Sequence, residues 1–121
     1  MSSERKPLCK TAGLEGAGDP LLHQAGSLFK ALGDPSRLRL LQVLLAAGAS
    51  LPQGELARQA GLSIPNASKH LALLQREGLV KRMAQGNQAQ FEAIQPMVGS
   101  VCGLVCTFIL DRAETQWREI R

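Results

Sequence analysis

The tightest constraint on this chain lies between Gly54 and Gly78, in the stretch GELARQAGLSIPNASKHLALLQREG. A short helical run, Pro52 to Ala60, is closed at Gly61. Ser63 then caps a second helix: its hydroxyl can accept from a free N–H of the first turn, where Pro65 is tolerated because those groups lack intrahelical partners. Ala67, Leu71 and Leu74 share one face of that helix, Asn66, Lys69, His70 and Gln75 are their polar neighbours, and Gly78 is the stop. Two helices joined through Gly61-Leu62-Ser63 have the spacing of a helix-turn-helix. The rest of the chain then has to support the second helix, dimerise it or switch it.

The flanking segments fit that frame. Residues 1–18 hold Gly13, Gly16 and Gly18 among charged and small residues and read as a flexible N-terminal arm. Asp19-Pro20 starts a helix, with Asp as N-cap and Pro at the first helical position, and Leu21, Leu22, Ala25, Leu28, Phe29 and Leu32 keep helical spacing up to Gly33. Asp34-Pro35 repeats the start signal for a helix over Pro35 to Ala47, ended by Gly48. After the helix-turn-helix, Leu79 to Met83 and Gln90 to Ile94 read as two strands joined through a turn at Gly86-Asn87, the position of a wing. The last helix starts near Pro96 and runs to about Arg118. Met97 to Leu110 carries no charge, and a helix apolar all round must be covered all round. In so small a domain the remaining side falls to a second subunit. The divisions are therefore an arm (1–18), a DNA-binding domain (19–95) and a C-terminal dimerisation helix (96–121).

Charge and cysteine content narrow the function. The net charge of +4 is uneven: Lys69, Arg76, Lys81 and Arg82 lie between Ile64 and Gln90 with His70, against one acid, Glu77. A local basic face suits a phosphate backbone, its ordinary alternative being a solvated surface. Phe29, Phe91, Phe108 and Trp117 are the only aromatic residues, too few for single-strand stacking platforms. No run approaches the ~20 apolar residues of a membrane span, and MSSERKPLCK lacks a signal-peptide core, so the expected location is cytoplasmic. Three cysteines do not make a secreted disulfide framework and read as free thiols, ligands or redox sensors.

Three segments in order, ALGDPSRLRLLQVL (31–44), GELARQAGLSIPNASKHLALLQREGLVKR (54–82) and QGNQAQF (85–91), resemble the arsenic-repressor (ArsR/SmtB-type) winged-helix regulators of bacteria. The resemblance runs from about Leu21 to Ile94. It implies a mainly α winged helix-turn-helix with a small β-hairpin, in the order α1-α2-α3-α4-β-β-α5, dimerising through its terminal helices on palindromic double-stranded operator DNA. Ser63, Ile64, Asn66, Ser68, Lys69 and His70 stand where that family's recognition run lies. Many members carry Gln-Ser at the positions of Ile64 and Pro65, so two polar side chains are replaced here. Ile64 would offer a thymine methyl contact, Asn66 paired bonds to adenine, and Lys69 a bond to guanine or phosphate. Ser63 and Ser68 would hold phosphate, while His70 would contact a base or, as an equal alternative, bond a phosphate or cap local packing. Arg76, Lys81, Arg82 and the wing-tip Asn87 would add backbone contacts and salt-dependent affinity. Arg37 and Arg39 read as plain surface, the alternative being contacts to the DNA backbone.

The sensor is less constrained. The thiolate motif of arsenic sensors is missing, since Gln53-Gly54-Glu55-Leu56-Ala57 occupies its place, and Gln95 and Met97 stand where the family's C-terminal zinc site would begin. Cys102 and Cys106, spaced i, i+4, share a face of the last helix, and Cys9 in the arm supplies a third thiol. Three thiolates suit As(III) or Sb(III), and Cd, Pb or Hg would also be held; zinc would want a fourth donor. Two other readings stand beside this one. The thiols are small core hydrophobes, or they sense oxidants or reactive sulfur through a cross-subunit or sulfur-inserted link, because a direct i, i+4 disulfide in one helix is strained. The function expected is a repressor released by a thiophilic inducer, the alternatives being a redox-sensing repressor or a winged-helix interaction module. No paired carboxylates, phosphate loop or Cys/His nucleophile indicates an enzyme.

Overall fold

The computed structural model describes residues 18–120. Helix α1 spans Asp19–Leu32, α2 Pro35–Ala47, strand β1 Leu51–Pro52, α3 Gln53–Ala60, α4 Ile64–Arg76, β2 Val80–Gln85, β3 Gln88–Ala93 and α5 Met97–Ile120. Helices and hairpin come in the order expected, with β1 added. The strands form one antiparallel sheet in the order β1-β3-β2. β1 pairs Leu51 with Phe91 and Pro52 with Gln90, which moves the start of α3 from Pro52 to Gln53.

Local chemistry explains most boundaries. The Asp34 carboxylate accepts from the Ser36 N–H at 3.4 Å and caps α2. At α1 the cap is Gly18 rather than Asp19: Asp19 occupies the first helical turn, where its charge faces the positive end of the helix dipole. Ser63 caps α4, accepting from the Asn66 N–H at 3.2 Å. Gly61 and Gly78 take φ of 70° and 79°, and each lets the next residue fold back on its helix: Leu62 N–H bonds the Ala57 carbonyl and Leu79 N–H the Leu74 carbonyl, both at 2.9 Å. A side chain at either glycine would be strained by the backbone alone. The hairpin register pairs Gln85 with Gln88, so the wing turn is only Gly86-Asn87 and both strands extend further toward the tip than the hydrophobic pattern suggests.

The core sits where α2, α3 and α4 meet the sheet. Leu40, Leu41, Leu56, Leu71, Leu74, Leu79 and Val98 are fully buried, with Leu44 and Phe91 beside them. Each such side chain contributes about 1.5–3 kcal/mol of burial free energy. Val98 places the first turn of α5 inside this core, and a Cβ at Gly99 would come within 3.6 Å of Leu45 of α2. From Gly103 to Glu119 every residue of α5 is exposed. Leu104 and Phe108 are 72% and 62% exposed, as are Val105, Ile109 and Leu110 in large part, and α1 exposes Leu22 and Phe29. No helix among the described residues is long and apolar enough to cross a membrane.

Candidate nucleic-acid interface

Helix α4 is divided lengthwise. Ala67, Leu71 and Leu74 are buried, which turns Ile64, Pro65, Asn66, Ser68 and Lys69 outward. Because Ser63 fixes the first turn, the outward side chains project from a helix start of defined geometry. Arg76 closes the helix, exposed, with its Nε 3.9 Å from the Glu77 carboxylate. In the wing, Lys81, Arg82 and Asn87 are exposed. Register puts Arg82 opposite Phe91 and Lys81 opposite Glu92, so the two cations leave opposite faces of the hairpin.

The electrostatics separate α4 and the wing from α3. On α3 the Arg58 guanidinium, and then the Gln59 amide, hold the Glu55 carboxyl down to about 2, and the same pairing raises Arg58. The Arg58–Glu55 contact is 2.5 Å, so α3 presents a locally neutralised surface. Lys69, Lys81 and Arg82 form no ion pair among the described residues, although the strand register sets Glu92 opposite Lys81. Their charge is available to a polyanion.

Three sequence-selected residues sit differently from their neighbours. His70 is turned inward, its Nδ1 3.3 Å from Arg37 Nη1 and its side chain 18% exposed. Arg37 is no plain surface residue: Nε donates to the Ala31 carbonyl at 2.6 Å and Nη2 to the Lys30 carbonyl at 3.2 Å, closing the end of α1. Arg39 donates from Nη1 to the Ala60 carbonyl at 3.3 Å, closing α3. A signal for the first two exists in the sequence. His70 stands three residues after Ala67 and four before Leu74, and Arg37 three and four before Leu40 and Leu41, so both lie on core-facing stripes.

The two C-terminal thiols are on α5. Cys102 is half-buried against the core and Cys106 is exposed. Burial, and then the neighbouring Cys106, push the Cys102 thiol up from its ordinary value. Among the described residues no group of three or more His, Cys, Asp or Glu side chains is placed to hold a metal ion. Cys9 lies outside the described residues.

Residues 32–82, from the end of α1 to the start of the wing, match a family described as a helix-turn-helix domain. The chain is 31% identical over 87 residues to the HTH-type transcriptional regulator YgaV of Escherichia coli (strain K12), covering 69% of this chain and 87% of that one. It is 33% identical over 85 residues to a probable mercury resistance operon repressor of Streptomyces lividans, 70% of this chain and 66% of that one. Among solved structures it resembles the homodimeric winged helix-turn-helix DNA-binding domain Mb0332 from Mycobacterium bovis, a possible ArsR-family regulator. That match has a TM-score of 0.72 and 26% identity over 84% of this chain and 94% of that one. By sequence and fold together, the chain belongs to the ArsR/SmtB-type winged helix-turn-helix transcriptional regulators.

Proposed function

We propose that the protein is a homodimeric repressor that lays α4 of each protomer in the major groove of a palindromic operator and the β2–β3 wing on the adjoining backbone. The observation that carries this reading is the outward row Asn66, Ser68 and Lys69 on a helix whose opposite face is wholly buried, beside the exposed wing cations Lys81 and Arg82. Asn66 reads adenine, Lys69 guanine or phosphate, and Ile64 a thymine methyl. Ser63, Ser68, Arg76, Lys81, Arg82 and Asn87 hold the sugar-phosphate chain. The second protomer covers the apolar faces of α5 and α1, where Leu104, Phe108, Leu110 and Phe29 would otherwise meet water. Selection of duplexes from a random pool, followed by binding at two salt concentrations, tests the reading. A protein with no sequence preference and no binding at low salt is an interaction module instead.

The inducer we assign is a thiophilic ion, As(III) or Sb(III), held by Cys102 and Cys106 with Cys9 as third thiolate. The exposed Cys106 is the first thiol such an ion meets, and Cys102, one turn away, closes the chelate. The mercury-repressor relative supports a thiophilic inducer in kind. A second reading, oxidant or reactive-sulfur sensing, is favoured by the exposure of the Cys106 thiol. Titration of the DNA complex with As(III), Sb(III), Hg(II), Cd(II), Zn(II), peroxide and persulfide decides between them, using the wild type and Cys9→Ser, Cys102→Ser and Cys106→Ser. Release by As(III) that survives loss of both Cys102 and Cys106 sinks the metalloid reading.

A further inference from the structure

His70 is polar, yet it occupies the core-facing stripe of α4. Its Nδ1 lies 3.3 Å from Arg37 Nη1 and 3.8 Å from Asp34 Oδ2. Arg37 is itself fixed at three further points: the Ala31 carbonyl, the Lys30 carbonyl and, at 3.6 Å, the Asp34 carboxylate. The cluster is well enclosed, with side-chain exposures of 15% for Arg37, 18% for His70 and 27% for Asp34. It joins the C-terminus of α1, the N-cap of α2 and the middle of α4.

A guanidinium has donors only. The Nδ1 it approaches must therefore accept, which puts the imidazole proton on Nε2. The 3.8 Å separation to Asp34 is too long for a hydrogen bond, so Arg37 rather than Asp34 makes the close contact. Asp34 also accepts from Ser36 N–H, and so it orients Arg37 from the cap of α2.

We propose that His70 is a positioning residue rather than a reader of DNA: Arg37, anchored on the last carbonyls of α1, holds the imidazole through Nδ1 and so sets the angle at which α4 is presented. The inference rests on the DNA-binding reading of α4. It gives the corner of α1 and α2 a role in that binding. α1 carries the exposed Phe29 and Leu22, so the strut runs from a helix with an uncovered apolar face to the helix that meets DNA. A second tie runs parallel to it, from Ser27 on α1 to Glu77 just after α4.

The two roles for His70 need different nitrogens, and this makes them separable. Asparagine places its amide oxygen near the position of Nδ1, whereas glutamine reaches that of Nε2. Affinity is measured by fluorescence anisotropy on a duplex selected from a random pool by the wild type. His70→Asn is expected to bind within about threefold of wild type, with His70→Gln and His70→Phe weaker by about tenfold, a change of ~1.4 kcal/mol. Retention by Gln with loss by Asn overturns the strut and makes Nε2 a direct DNA contact. Equal retention by all three variants, or equal loss, also overturns it. Ring-nitrogen NMR of the free wild-type protein gives a second answer that needs neither DNA nor a folded variant. The Nε2–H tautomer is expected for His70, and the Nδ1–H tautomer or a doubly protonated ring at neutral pH overturns the proposal. If the wild type selects no duplex, the DNA reading fails while this NMR result still decides the geometry.

Discussion

Ser27 Oγ donates to Glu77 Oε2 at 2.8 Å, joining α1 to the residue that ends α4 across fifty positions of sequence. Glu77 also faces Arg76 at 3.9 Å, so the end of the DNA-proposed helix and the middle of α1 share one carboxylate. The bond is exposed, and a single exposed hydrogen bond contributes little to stability even with a charged acceptor. Ser27→Ala should therefore lower unfolding free energy by no more than about 1 kcal/mol in urea titration. A drop several times larger would mean that the bond organises more of the fold than its own two residues.

The wing cations give a prediction about salt rather than affinity alone. Removing one cation from a phosphate should flatten the plot of log K against log salt by about 0.9 for duplex DNA. Lys81→Gln combined with Arg82→Gln should reduce the slope by roughly twice that amount. An unchanged slope would remove both residues from the interface.

Exposed Leu104 and Phe108 predict the assembly state. Replacing both by aspartate should turn a dimer into a monomer in light scattering, because each buried apolar side chain is worth about 1.5–3 kcal/mol per protomer. Helix content should hardly change, since neither side chain is in the core. A dimer that persists would place the interface elsewhere.

The thiols should differ in pH response. Burial and the neighbouring Cys106 raise the Cys102 thiol, so its reactive thiolate forms only at higher pH than an ordinary cysteine's. Near neutral pH, iodoacetamide should label Cys106 first, read by mass spectrometry. Cys102 labelling should climb as pH rises above the ordinary thiol range. Faster labelling of Cys102 at neutral pH would contradict its burial.

Much of this architecture is written in local chemistry. Asp34, Gly48, Gly61, Ser63 and Gly78 bound the central helices where the sequence suggests, because caps and left-handed glycines act on neighbouring residues only. The strand β1 is not legible, since two residues, one of them proline, carry no periodicity and become a strand only through pairing with Phe91 and Gln90. At the candidate site the outward row of α4 follows from the spacing of Ala67, Leu71 and Leu74. The inward turn of His70 follows from the same spacing, but its polarity suggests the surface until Arg37 is seen beside it. The relation of Cys9 to Cys102 and Cys106 involves residues far apart in sequence, and Cys9 lies outside the described residues.

In the proposed complex Asn66 and Lys69 on capped α4 read DNA. This is decided by the affinity of the wild type and of the double variant Asn66→Ala, Lys69→Ala for the duplex that the wild type selects from a random pool. Removal of two base-edge hydrogen-bonding groups at about 1–3 kcal/mol each should weaken the double variant at least about thirtyfold and relax the selected sequence, with thermal stability unchanged. Equal affinity and equal sequence preference in the double variant would remove both side chains from the base edges.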